Sequence, residues 1–134
     1  MRVLGIDLGR SRTGLALSDP VGVTCRPFAI VAERDEHRLL ERILEAATEQ
    51  EVGMIVVGLP RPLSGGGNSQ TAYVLDFVER LRADATIRVD TWDERFTTQL
   101  AERGRPAAEA SDAVAACYML QNYLDAQSRM TEGE

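Results

Sequence analysis

Between Val3 and Ala32 the chain leaves no room for a helix, and this constrains its fold more than any other feature. Val3 to Leu8 reads as a short strand, Gly9-Arg10-Ser11-Arg12 as a turn, and Thr13 to Ser18 as a second strand in which Leu15 and Leu17 alternate with smaller residues. A third extended segment around Phe28 to Ala32 follows Asp19-Pro20 and Gly22. Strands joined so closely must pair antiparallel, because a parallel return needs a crossover of about a dozen residues or more. The period then changes. Leu39, Leu40, Ile43, Leu44 and Ala47 share one helical face, and GMIVVG at Gly53 to Gly58 is a buried strand. Thr71, Val74, Leu75, Val78 and Leu81 repeat the helical spacing before a last strand from Thr86 to Trp92.

Strand, helix, strand, helix, strand implies right-handed crossovers and parallel pairing. A final helix is predicted from near Pro106 to about Ala126, with Val114, Cys117, Leu120 and Leu124 facing inward. The expected architecture is therefore α/β: a mixed five-stranded sheet, an antiparallel three-strand meander continued by two parallel strands, flanked by helices. That is the RNase H-like arrangement. It should occupy residues 1–126 as a single domain, leaving 127–134 as a short polar tail.

The 134 residues suit one core rather than two lobes. Apolar runs such as Met54 to Val57 are far too short to span a bilayer, and no basic segment followed by an apolar stretch opens the chain. A cytoplasmic protein with no membrane partner is the expectation. Cys25 and Cys117 form no CxxC and read as buried small hydrophobes, with no disulfide framework indicated. The formal charge of -6 argues against nucleic-acid binding through bulk cationic character. All 15 residues of the Lys+Arg count are arginine, whose planar fork suits phosphate.

Asp7, in GIDLG, is a carboxylate in an otherwise apolar strand, where an uncompensated charge is costly to bury. Glu94 at the end of the last strand and Asp112 near the start of the last helix are the acidic residues this topology can bring to it. Clustered carboxylates repel one another unless a cation shares the site. Hard oxygen ligands without histidine or cysteine select Mg²⁺ or Mn²⁺ over zinc. The single histidine, His37, reads as a surface residue in a helical first turn.

Four blocks in order carry a family resemblance: GIDLGRSRTGLALSDP at Gly5 to Pro20, VVGLP at Val56 to Pro60, DERFTT at Asp93 to Thr98, and DAVAACYMLQNYLD at Asp112 to Asp125. Together they resemble the YqgF (RuvX) family of pre-16S rRNA nucleases and Holliday junction resolvase-like proteins. The resemblance implies an RNase H-like, metal-dependent nuclease with Asp7, Glu94 and Asp112 as catalytic and metal-holding acids. Its partner would be nucleic acid, either an rRNA precursor or branched DNA, and junction resolution would require a homodimer because two symmetric cuts are made. Asp93 is the alternative to Glu94, since neighbours in a strand face opposite ways. AERGRPAAEASD, which leads into Asp112, is shorter and less basic than the usual family connection.

Arg10 and Arg12 in the first turn, Arg61 at the start of RPLSGGGNSQ, and Arg95 beside Glu94 are candidate phosphate contacts. Trp92 reads as core packing rather than a base-stacking platform. Two rivals remain: a phosphotransferase or ATPase of the actin, Hsp70 and sugar-kinase class, which shares the GIDLG-type opening, and a non-catalytic nucleic-acid-binding module.

Overall fold

The structure, a computed structural model, describes residues 1–60, 69–93 and 108–132. Strands β1 (Val3–Asp7), β2 (Thr13–Ser18), β3 (Cys25–Val31), β4 (Met54–Leu59) and β5 (Arg88–Asp93) form one sheet in the order β3-β2-β1-β4-β5. β1 with β2 and β2 with β3 are antiparallel, whereas β4 runs parallel to β1 and β5 parallel to β4. This is the mixed RNase H-like sheet that the spacing predicts. Helices α1 (Glu36–Glu49), α2 (Ser69–Asp84) and α3 (Ala108–Glu132) complete the described elements.

Strand alternation divides the molecule into two cores. Leu4, Ile6, Leu15, Leu17, Ile55 and Val57 face α1 and α2 and meet Leu39, Ile43, Phe77 and Leu81. The Asp35 side chain starts α1 by accepting the Arg38 amide at 3.0 Å, and His37 is exposed in the first turn. On the opposite face Val3, Ala16, Met54 and Val56 pack beneath Ala116, Met119, Leu120, Tyr123 and Leu124 of α3. The residues of β1 and β2 under this helix are small: Gly5 pairs with Ala16, and Asp7 with Gly14. A methyl group at Gly5 would approach the Leu120 Cβ to 2.9 Å, so α3 lies almost directly on the backbone there.

That close approach rotates α3 from its expected orientation. Ala113, Ala116, Met119, Leu120, Tyr123 and Leu124 are buried, whereas Val114 and Cys117 are half-buried. Ala113 and Ala116, not the larger Val114, are buried at this end of α3, where the helix backbone lies on Gly14, while Leu120 packs over Gly5. α3 also continues to Glu132, well beyond Ala126, so residues 127–132 are helical rather than a tail, and they include the exposed Met130. No glycine or proline interrupts this stretch before Gly133. β3 begins at Cys25 rather than Phe28 and includes Pro27, tolerated because this is an edge strand.

The cysteines also depart from expectation. Cys25 and Cys117 are half-exposed free thiols whose Sγ atoms lie 3.4 Å apart. Their proximity comes from α3 crossing the start of β3, a contact with no local sequence signature. Among the described residues, no helix is long and apolar enough to cross a membrane.

Candidate active site

Asp7 is the last residue of β1 and is half-buried, so it sits at the carboxyl end of the central strand rather than in the strand interior that its apolar flanks suggest. Its desolvation is accordingly partial. Val3 and Gly5 lie under α3, and the period of two puts Asp7 on the same face. Asp7 is directly opposite Gly14 in the β1–β2 register, and such partners project to the same side. The space a Gly14 side chain would fill is taken by the Asp112 carbonyl group, with the Ala113 nitrogen 2.9 Å from the Cβ position. Asp7 and the Asp112 turn of α3 therefore meet across one missing side chain.

The Asp112 carboxylate is half-exposed and holds Arg12 Nε at 3.4 Å. The Asp112 backbone thus sits over Gly14, the register partner of Asp7, and Arg12, just before β2, reaches the Asp112 carboxylate. Arg10, from the same turn, goes elsewhere. Its guanidinium lies 4.4 Å from the centre of the Tyr73 ring on α2, beyond the opposite face of the sheet. There it borders an open cleft lined also by His37, where the positive charge of Arg34 and Arg80 is offset by Asp35 and Glu36. Burial pushes the Tyr73 phenol up, with the negative Glu36 adding to the effect and Arg10 opposing it.

The first turn of α2 ties two strand ends together. Gln70 Nε2 donates to the Leu8 carbonyl at 3.3 Å, and Thr71 Oγ1 donates to the Pro60 carbonyl at 2.6 Å. These bonds fix the chain immediately after Asp7 and after β4. Periodicity marks Thr71 only as a helical-face residue and leaves Gln70 unnoticed. Gly14 was equally silent, although a glycine within a strand is a general sign of close backbone approach.

At the end of β5, Trp92 makes an edge-to-face contact with Tyr123, ring centres 5.7 Å apart, and so belongs to the α3 face. It packs against the core, as expected. Alternation then turns Asp93 to the other face, away from Asp7. Glu94, Arg61 and Arg95 lie outside the described residues. Among the described residues, no three histidine, cysteine, aspartate or glutamate side chains form a metal-binding group. Asp7 and Asp112 nevertheless offer the hard carboxylate donors that suit Mg²⁺ or Mn²⁺.

A family profile described as RuvX, Holliday junction resolvase, matches residues 1–126. The chain belongs to the RuvX family. One RuvX-like relative, named "Putative pre-16S rRNA nuclease", from Clostridium botulinum (strain Hall), is 37% identical over 137 residues, covering 96% of this chain and 100% of that protein. A Clostridium acetobutylicum protein of the same name is 37% identical over 133 residues, covering 93% of this chain and 98% of its own. Among solved structures, T. thermophilus RuvC in complex with Holliday junction substrate aligns with a TM-score of 0.65 at 18% identity, covering 96% of both chains. The yeast mitochondrial Holliday junction resolvase Ydc2 aligns with a TM-score of 0.62 at 11% identity, over 97% of this chain and 80% of that one. At these identities the structural matches establish the shared RNase H-like fold.

Proposed function

We propose that this RuvX-family chain is a metal-dependent nuclease of the cytoplasm that hydrolyses phosphodiester bonds and processes the 5′ end of pre-16S rRNA in ribosome biogenesis. The observation that supports the reading is the seating of the Asp112 turn on Gly14, the register partner of Asp7, which puts both acids on the α3 face near the end of β1. Their donor chemistry fits Mg²⁺ or Mn²⁺, with Glu94 as the third acid. Asp93 faces the other side of β5, which favours Glu94 over its neighbour. Water activation and stabilisation of the leaving oxygen are the chemistry a divalent ion supplies in such a carboxylate set.

The remaining work falls to the arginines. Arg12 is paired with Asp112 but half-exposed, so its guanidinium can take a phosphate oxygen of a strand laid across the carboxylates. Arg61 and Arg95, in the segments that follow β4 and β5, would extend this grip along the backbone. Arg10 would act more remotely, from its seat on Tyr73.

The names of the curated relatives support the rRNA substrate, whereas the family description favours a second reading, cleavage of four-way DNA junctions by a homodimer. The test is cleavage of labelled rRNA precursor and four-way junction side by side, with Mg²⁺ or Mn²⁺ and with chelator, by the wild-type chain and Asp7→Asn. Metal-dependent precursor cleavage lost in Asp7→Asn is expected. Junction cleavage alone would select the second reading, and no cleavage of either would leave a nucleic-acid-binding module.

A further inference from the structure

The Cys25–Cys117 pair has no part in the carboxylate site, yet its geometry is specific. The residues are 92 positions apart, one at the start of the edge strand β3 and the other within α3, and their Sγ atoms stand 3.4 Å from each other. Gln121 holds the surroundings together: its Nε2 donates to the Val23 carbonyl at 2.9 Å and to Asp125 Oδ1 at 3.0 Å. Its Oε1 is 3.6 Å from Cys25 Sγ, and the Cys117 carbonyl is 3.2 Å from the same sulfur. Both cysteines are half-exposed, so a small oxidant can reach them. Bond formation needs the sulfurs to close by roughly 1.4 Å, to the usual S–S length of about 2.05 Å.

We propose that Cys25 and Cys117 form a reversible oxidation site, a dithiol that closes into an intrachain disulfide and staples α3 to the first residue of β3. The two thiols are unequal. Hydrogen bonding between the two sulfurs pulls the Cys117 thiol below its ordinary range and pushes Cys25 up, and the acceptors beside Cys25, the Cys117 carbonyl and Gln121 Oε1, keep the proton on that sulfur. Cys117 is therefore the attacking sulfur. With hydrogen peroxide, its thiolate forms an S–O bond as the O–O bond breaks, and the departing hydroxide takes up the proton released by Cys117 to leave as water. The Cys25 sulfur then attacks the sulfenic sulfur; S–S forms, S–O breaks, and the Cys25 proton leaves with the hydroxide as a second water. Two thiols and one peroxide thus give one disulfide and two waters. In a reducing compartment the pair stays open, and oxidant closes it.

Such a cross-link closes a loop of about ninety residues, which restricts the unfolded chain strongly, and it lies one to two turns beyond Asp112 on the same helix. The experiment treats the full chain with hydrogen peroxide and follows intact mass, an unreduced peptide digest and thermal melting. Expected are a loss of about 2 Da without dimer formation, a linked pair of peptides carrying Cys25 and Cys117, and a melting temperature about 10 °C higher. Dithiothreitol should reverse all three changes, and Cys25→Ser and Cys117→Ser should show none. Cys25→Ser alone decides the matter if Cys117→Ser fails to fold. Retention of both thiols, overoxidation without a cross-link, links only between chains, or an unchanged or lower melting temperature in the linked protein would overturn the proposal.

Discussion

Replacing Gly14 by alanine attacks the contact that seats the Asp112 turn of α3 on the strand pair ending in Asp7. The new methyl group would fall on the Asp112 carbonyl group and within 2.9 Å of the Ala113 nitrogen. Non-bonded heavy atoms settle near about 3.5–4.0 Å. The obstacle is helix backbone, which cannot swing aside as a side chain can, so α3 must lift from the sheet at this end. Overpacking costs about 1–3 kcal/mol, and a backbone obstruction belongs at the upper end of that range. An unfolding entropy of about 2.1 cal/mol/K per residue amounts to roughly 0.28 kcal/mol/K for this chain, so about 3 kcal/mol lowers the melting temperature by roughly 10 °C. Gly5→Ala is the control. Its methyl meets Leu120 Cβ at 2.9 Å and Cδ2 at 3.2 Å, side-chain atoms that yield in part, and a fall of about 5 °C is expected. Because displacement near a reacting centre by about 1 Å can cost about 100-fold, Gly14→Ala should lose cleavage on that scale, whereas Gly5→Ala should stay within about threefold of wild type. Circular-dichroism melts and cleavage assays at a temperature where both variants remain folded read the two effects. A Gly14→Ala melting temperature within about 2 °C of wild type, or equal activity losses in the two variants, would refute the reasoning.

Asp7→Asn should reduce cleavage by at least about 100-fold while preserving the fold, and should melt slightly higher in divalent-free buffer because like charges no longer crowd Asp112; wild-type turnover would count decisively against the proposed site. Arg12→Ala should weaken binding of single-stranded RNA and reduce the slope of log affinity against log salt by about 0.7, the signature of one lost phosphate contact. An unchanged slope would place Arg12 off the substrate path. Burial, reinforced by the negative charge of Asp90, pushes the Tyr123 phenol up to about 12. The unfolded phenol, near about 10, ionises first, so this contribution to stability is whole below about pH 10 and is lost as pH rises towards about 12. Tyr123→Phe should therefore show a shallower alkaline decline in denaturant midpoint than wild type across that window. Parallel declines would assign the alkaline loss to other groups.

The elements, their order and the mixed pairing were legible in the residues because each is a local matter. A half-buried strand must alternate, an amphipathic helix must repeat near every fourth residue, and connection length separates antiparallel from parallel neighbours. Asp7 announced itself for the same reason, as a charge among apolar neighbours. What tertiary structure alone decided was which side chains meet through space. Gly14 carries no side chain and so leaves no pattern, yet its emptiness lets the Asp112 backbone of α3 rest on the register partner of Asp7. Val114 looked the better inward residue by hydrophobicity, but where the α3 backbone lies on Gly14 it is Ala113 and Ala116 that are buried. Arg10 and Arg12, indistinguishable in one short turn, part to opposite faces of the sheet, one to the Tyr73 ring and one to Asp112. Cys25 and Cys117 meet because a long helix crosses an edge strand, and the relative placement of two packed layers is written in no stretch of sequence short enough to show it.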